Sequence, residues 1–142
     1  MPNEIDENYP QFIRIDENIK DKCLKDLIDK NSGTCFSGQE QGQICLLAAT
    51  IGFVNKKKKK TNKPTDIRLY RTLSKEYKML IRAIVLADCN YDYNVLSDGT
   101  KVLKIIEEYS NGGLQLLHEK IYDKGLDLSI EDDIIKLLNK IQ

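Results

Sequence analysis

Val102–Ile121, VLKIIEEYSNGGLQLLHEKI, is the stretch that decides how this chain folds. Val102, Ile105, Ile106, Tyr109, Gly113, Leu116, Leu117 and Ile121 keep a single helical phase straight across Asn111-Gly112-Gly113. An asparagine followed by two glycines ordinarily ends a helix. An apolar phase that runs through them predicts one long helix, whose glycines let a neighbouring backbone come close. Upstream, Tyr77, Leu80, Ile81, Ile84 and Val85 recur at helical spacing, while Met79, Ala83 and Leu86 make the other side apolar. That pattern predicts a core helix buried on more than one face. The polar, tyrosine-bearing stretch Asp88–Asn94 between the two reads as a turn. It lacks the glycine and terminal glutamate of a calcium loop, so its aspartates are read as turn formers.

Working outward toward the N-terminus, Ile67-Arg68-Leu69-Tyr70-Arg71 is short and β-prone, as is Gln11-Phe12-Ile13-Arg14-Ile15, and the two are expected to pair. Asp16 is placed to cap a helix reaching about Lys30, with Ile19, Cys23, Leu24, Leu27 and Ile28 facing inward. Ser37-Gly38-Gln39-Glu40 fits a capping box, so the next helix should begin there, with Ile44, Leu47, Ala48 and Ile51 as its apolar stripe and Gly52-Phe53 as its stop. At the other end, Ser129 caps a last helix with the stripe Ile130, Ile134, Leu137, Leu138 and Ile141. The expected fold is mostly α: about five helices in a compact helical domain, with at most a short two-stranded β ribbon. One domain over residues 1–142 is expected, comprising an irregular arm over 1–10, a basic loop over 55–65 and a C-terminal helix over 129–142.

The formal net charge is zero, so no global field draws the protein to nucleic acid or to a membrane. The charge is nonetheless unevenly laid out. Residues 1–40 hold nine acidic and five basic side chains, 55–71 eight basic and one acidic, and 86–142 eleven acidic and six basic. The basic segment contains five consecutive lysines, Lys56, Lys57, Lys58, Lys59 and Lys60, followed by Lys63, Arg68 and Arg71. So many like charges cannot be buried. They read as a solvated loop complementing the carbonyl end of the preceding helix, or as a surface that contacts phosphates without reading sequence.

Four cysteines without a CxxC pair and a single histidine, His118, give no zinc spacing. Cys45 and Cys89 lie in apolar helical patterns and read as small buried hydrophobes in a reducing, cytoplasmic setting. No apolar run is long enough to span a membrane. The chain has no GxSxG, Walker-type phosphate loop, GxGxxG or HExxH, and adjacent Glu107 and Glu108 cannot face each other as a carboxylate pair. Neither an enzyme nor a cofactor is expected.

A resemblance reaches further than these absences. Ala48-Ala49-Thr50-Ile51-Gly52-Phe53 before a basic loop, then Leu80–Asp88, then Ile106–Leu114 with its EEYSNGGL core, is similar to small proteins encoded beside DNA phosphorothioation (Dnd) genes, the Dnd system-associated proteins of the fourth type. The similarity covers roughly 36–122. It implies a bacterial accessory component of modification-linked defence against foreign DNA, and it carries over no catalytic or ligand residue. The five-lysine run and the capped helix after Gly125 read as departures from the family's pattern.

Two function classes follow. In the first, a non-catalytic subunit docks on a larger nuclease or ATPase of a defence complex through the stripe Ile134, Leu137, Leu138 and Ile141 or through the Gly112-Gly113 seam, with DNA-backbone contact from the basic loop. In the second, the order strand, helix, loop, helix forms a small ribbon-helix-helix DNA-binding regulator, presenting Arg14 to the groove.

Overall fold

The computed structural model of the chain describes residues 9–31, 34 and 36–123. Strand β1 (Phe12–Asp16) leads into a continuous helical segment, α1, made of α-helical Glu17–Ile19, π-helical Lys20–Leu24 and α-helical Lys25–Ile28. Helix α2 (Gln41–Val54), strand β2 (Pro64–Leu69), helix α3 (Lys75–Asp88) and helix α4 (Gly99–His118) follow. Short 3-10 turns, Tyr70–Thr72 and Tyr93–Ser97, precede the last two helices, and the π-helical turn Glu119–Asp123 extends α4. The fold is mostly α with a short β ribbon, as the periodicities predict. The last predicted helix, 129–142, and its stripe lie outside the described residues.

The two strands pair antiparallel, Phe12 opposite Leu69 and Asp16 opposite Pro64, with a bulge between Ile13 and Arg14. Alternation turns Ile13 and Ile15 inward, while Arg14 faces out and its Nε donates to Asp66 Oδ1 at 2.9 Å. A ribbon-helix-helix protein pairs this strand with the same strand of a second copy. Here β1 has its partner within the chain and Arg14 is engaged by a carboxylate, so that reading loses both of its structural supports.

Helix α4 runs unbroken through Asn111-Gly112-Gly113, all three buried. Its first half packs Val102, Ile106 and Tyr109 into one core with Ile81 and Val85 of α3, and its second half packs Leu114 and Leu117 into another with Ile19 and Leu24 of α1. Helix α2 serves both cores, through Leu46 and Ala49 on one side and Cys45, Ala48 and Ile51 on the other. The hub is therefore the α2–α4 pair. The expectation that α3 would be buried on more than one face is corrected: only Ile81, Ile84 and Val85 are buried, and Met79 is 57 % exposed. Among the described residues no layer covers the Met79 side of α3, whereas α2 carries small side chains, Ala48 and Ala49, that two layers approach.

Two local expectations also change. The capping box does not form, because Ser37 Oγ donates to the carbonyl of Asp29, and Glu40 itself caps α2 by accepting from the N–H groups of Gly42 and Gln43. A carboxylate at this position satisfies two orphan amides and favours the positive helix end, which a serine three residues upstream cannot reach. Leu47, placed in the buried stripe, faces outward, while Ile44, Ala48 and Ile51 of that stripe are buried as expected, together with Cys45 and Leu46, which widen it, and Ala49. The arm expected over 1–10 ends on an anchor: Tyr9 is buried, stacks on Tyr70 with centroids 4.9 Å apart, and donates to the carbonyl of Leu96 at 2.8 Å.

Candidate nucleic-acid interface

The basic loop begins where α2 stops. The N–H of Lys56 donates to the carbonyl of Phe53 at 3.1 Å and that of Lys57 to the carbonyl of Gly52 at 2.8 Å, the paired bonds of a Schellman cap. The position that usually holds glycine in this cap is occupied by Lys56, with φ of 55°. A left-handed backbone costs a side-chain-bearing residue about 1–2 kcal/mol, so the surroundings must hold the loop there.

They do so through the Glu108–Gly113 face of α4. Asn111 is fully buried; its Nδ2 donates to the carbonyl of Lys59 at 3.0 Å and to Thr61 Oγ1 at 2.8 Å, while its Oδ1 accepts from the N–H of Asp16 at 2.8 Å. Both amide hydrogens and the carbonyl are thus used. The N–H of Lys59 donates to the carbonyl of Glu108 at 3.0 Å, and the carbonyl of Lys57 lies so close to Gly112 that a Cβ there would sit 1.9 Å from it. Gly113 meets the Ala48 carbonyl in the same way, a Cβ falling at 1.7 Å, and a Cβ on Gly52 would fall 2.2 Å from the Tyr109 carbonyl oxygen. Ser110 Oγ donates to the carbonyl of Cys45 at 3.1 Å. Every residue from Glu108 to Gly113 therefore touches either α2 or the loop that leaves it.

Asp16 ties the far end of the loop to the ribbon. Its Oδ1 accepts from the N–H groups of Asn62 at 2.9 Å and Lys63 at 3.1 Å, and the N–H of Glu17 donates to the carbonyl of Lys63 at 2.8 Å. Burial alone would raise the Asp16 carboxyl, but the backbone N–H groups facing it hold it below the usual carboxylate range.

The eight cations predicted as a nucleic-acid surface divide into those committed within the chain and those that are not. Lys58 Nζ lies 3.1 Å from Asp88 Oδ2 and 4.9 Å from the centre of the Tyr109 ring. Tyr109 also donates its hydroxyl to Asp88, and burial followed by that carboxylate pushes the phenol's pKa up. Lys63 pairs with Glu17 at 3.2 Å, and Arg68 with Glu40 at 3.0 Å and with Thr72. Among the described residues Lys56, Lys57, Lys59, Lys60 and Arg71 have no such ionic partner, and Lys56, Lys57 and Lys60 are exposed. Arg68 and Arg71 do not join them: Arg68 sits at the start of α2 and the lysines at its end, roughly 20 Å apart for a helix of this length.

The Lys58–Asp88 pair brings the loop beside the turn that follows α3. There Asn90 and Tyr91 adopt φ of 56° and 62°, and Tyr91 and Tyr93 are 69 % and 74 % exposed. The sequence marked this turn as tyrosine-bearing without giving the rings a role. It also left Asn111 and Asp16 unassigned as loop-holders; an asparagine inside a helical apolar phase, directly before two glycines, was the available signal.

His118, the single histidine, stands apart. Its Nε2 is 2.9 Å from Asp26 Oδ2 and its ring tilts against Tyr122 at 4.6 Å. It borders an open cleft of about 330 Å³ with Cys23, Gln115 and Glu119. Burial and the nearby Asp26 carboxylate raise the Cys23 thiol, opposite to what a nucleophilic thiolate requires, and among the described residues no hydrogen bond joins it to His118. Ile134, Leu137, Leu138 and Ile141, the predicted partner-binding set, lie outside the described residues. Among the described residues no helix is long and apolar enough to cross a membrane.

A family model described as "DNA sulphur modification system-associated protein 4" matches residues 13–142. The match runs to the last residue, so the stretch after Gly125 falls within the family's extent and is not an addition to it. No curated protein and no solved structure matches the chain.

Proposed function

Because the chain belongs to the family of DNA sulphur modification system-associated protein 4, we propose that it is a non-catalytic accessory subunit of such a system. In this reading it rests its basic loop on the DNA backbone and docks on a larger protein of a bacterial defence complex, a nuclease or an ATPase. The observation that carries the DNA part is the investment of α4 in one loop: Asn111, Gly112 and the Glu108 carbonyl fix a lysine-rich segment whose Lys56, Lys57 and Lys60 side chains stay in water. A solvated loop needs no such fixing. A phosphate-contacting one gains from it, because ammonium groups already held in place lose less freedom on binding.

Ammonium groups read charge and not base edges, and a phosphorothioate carries the same single negative charge as a phosphate. The loop therefore supplies affinity for DNA in general, and any discrimination of modified DNA belongs to the larger partner. The test is binding of a random duplex across a salt series. With three or four phosphate contacts, log K falls against log salt with a slope of about −3, and the triple substitution Lys56→Gln, Lys57→Gln, Lys60→Gln brings the slope close to zero. Absence of binding at low salt would remove DNA contact from the proposal and leave docking alone.

A further inference from the structure

The basic loop and the 89–94 turn meet across Lys58 and Asp88, and the turn brings something the lysines lack. Tyr91 and Tyr93 offer two open aromatic faces, 69 % and 74 % exposed, and among the described residues no hydrogen bond or ring contact engages either side chain. Tyr91 follows Asp88 by three residues, so its Cα stands within about 11 Å of the Cα of Asp88, whose carboxylate holds Lys58. Its backbone is tied back to the helix end by donation of its N–H to the carbonyl of Leu86 at 2.6 Å, in a left-handed conformation that tyrosine rarely adopts. Asp92, the carboxylate between the two rings, is turned to the N–H of Asn94 at 3.0 Å.

We propose that the lysines of loop 55–63 and the rings of Tyr91 and Tyr93 form one surface for an unpaired nucleic-acid strand, with phosphates on the ammonium groups and bases stacked on the tyrosines. It rests on the reading of the loop as a phosphate contact and adds the state of the nucleic acid. A duplex hides its base faces in its own stack and leaves two such rings with nothing to cover. An acidic protein surface matches the lysines but not the rings, whose faces carry partial negative charge and repel carboxylates. An unpaired strand matches both, since every base has a face to stack and every linkage a charge.

Fluorescence anisotropy at low salt tests this with the intact chain and four probes: a 20-nucleotide mixed-sequence DNA strand, its duplex, an abasic strand of equal length, and polyglutamate. The strand is expected to bind at least about tenfold tighter than the duplex or the abasic strand, because each stacked base adds affinity. Tyr91→Asn, which suits the left-handed backbone, and Tyr93→Ala should each weaken strand binding roughly tenfold and leave duplex binding unchanged. An RNA strand binding as tightly as the DNA strand supports the proposal equally, because stacking and charge are common to both. Equal affinity for strand, duplex and abasic strand, untouched by the tyrosine substitutions, overturns the inference and leaves the loop as a phosphate contact. Polyglutamate competing as well as the strand also overturns it, and no binding by any probe overturns it together with the reading of the loop.

Discussion

The side-chain amide of Asn111 donates to the carbonyl of Lys59 at 3.0 Å, across 52 positions of sequence. Together with its bonds to Asp16 and Thr61, this makes one buried residue the meeting point of α4, the ribbon and the basic loop. Replacing it with leucine strands the N–H of Asp16 and the carbonyl of Lys59 without partners in a site that excludes water. Each stranded group costs about 1–3 kcal/mol, so Asn111→Leu should lower the unfolding free energy by roughly 3 kcal/mol. Denaturant melts check this; a loss under about 1 kcal/mol would show that the groups find other partners.

Gly113 and Gly112 should fail differently when given a methyl group. At Gly113 the new carbon meets the Ala48 backbone inside the α2–α4 contact, and neither helix can yield without opening both cores. Gly113→Ala is expected to cost about 3 kcal/mol, at the upper end for overpacking. Thermal melts of the two alanine variants should place Gly113→Ala well below Gly112→Ala, where the nearest obstacle is the Lys57 segment of the loop.

Lys56 occupies the left-handed position of the cap that ends α2. Glycine adopts that backbone freely, and although it loses more freedom on folding, Lys56→Gly should stabilise the protein by about 0.5–1 kcal/mol. The same substitution removes one cation, so it should reduce the salt slope of duplex binding by roughly 0.9. Stability and affinity then move in opposite directions, which a purely structural loop would not produce.

Two buried acids set opposite pH limits. Asp16 has its pKa held below 3.8 in the folded state, so its contribution is complete above that value and is lost as pH falls through the lower folded one. Asp16→Asn should flatten the acid limb of the stability profile. Burial pushes the Cys45 thiol up from 9.0 to about 12, so its contribution is intact below pH 9 and drains away as pH climbs toward 12. Cys45 should accordingly resist iodoacetamide at pH 8 until the protein unfolds, and labelling in the native state would contradict its burial.

Much of this architecture was legible in the sequence because it depends on period and charge. One helical phase through Asn111-Gly112-Gly113 gave α4 and the close approach of another backbone, and two β-prone runs gave the ribbon. A run of five lysines could only lie outside. What period cannot supply is which neighbour exists to cover a face: Met79 on α3 and Leu47 on α2 have apolar chemistry but, among the described residues, no covering layer. Nor can it show which cations have partners, since Lys58 and Arg68 find Asp88 and Glu40 across 30 and 28 positions. Tyr9 was hidden for the same reason, its shelter being Tyr70 and the turn at Gly99.

The central claim is that α4 holds the basic loop in a working shape, and Gly112→Ala tests it most directly. Its methyl group strikes first at the Lys57 backbone and leaves all eight cations in place. Duplex affinity at low salt should fall several-fold while the thermal transition stays cooperative. Affinity equal to that of the parent chain would mean that the charges act without the scaffold, and the claim would be wrong.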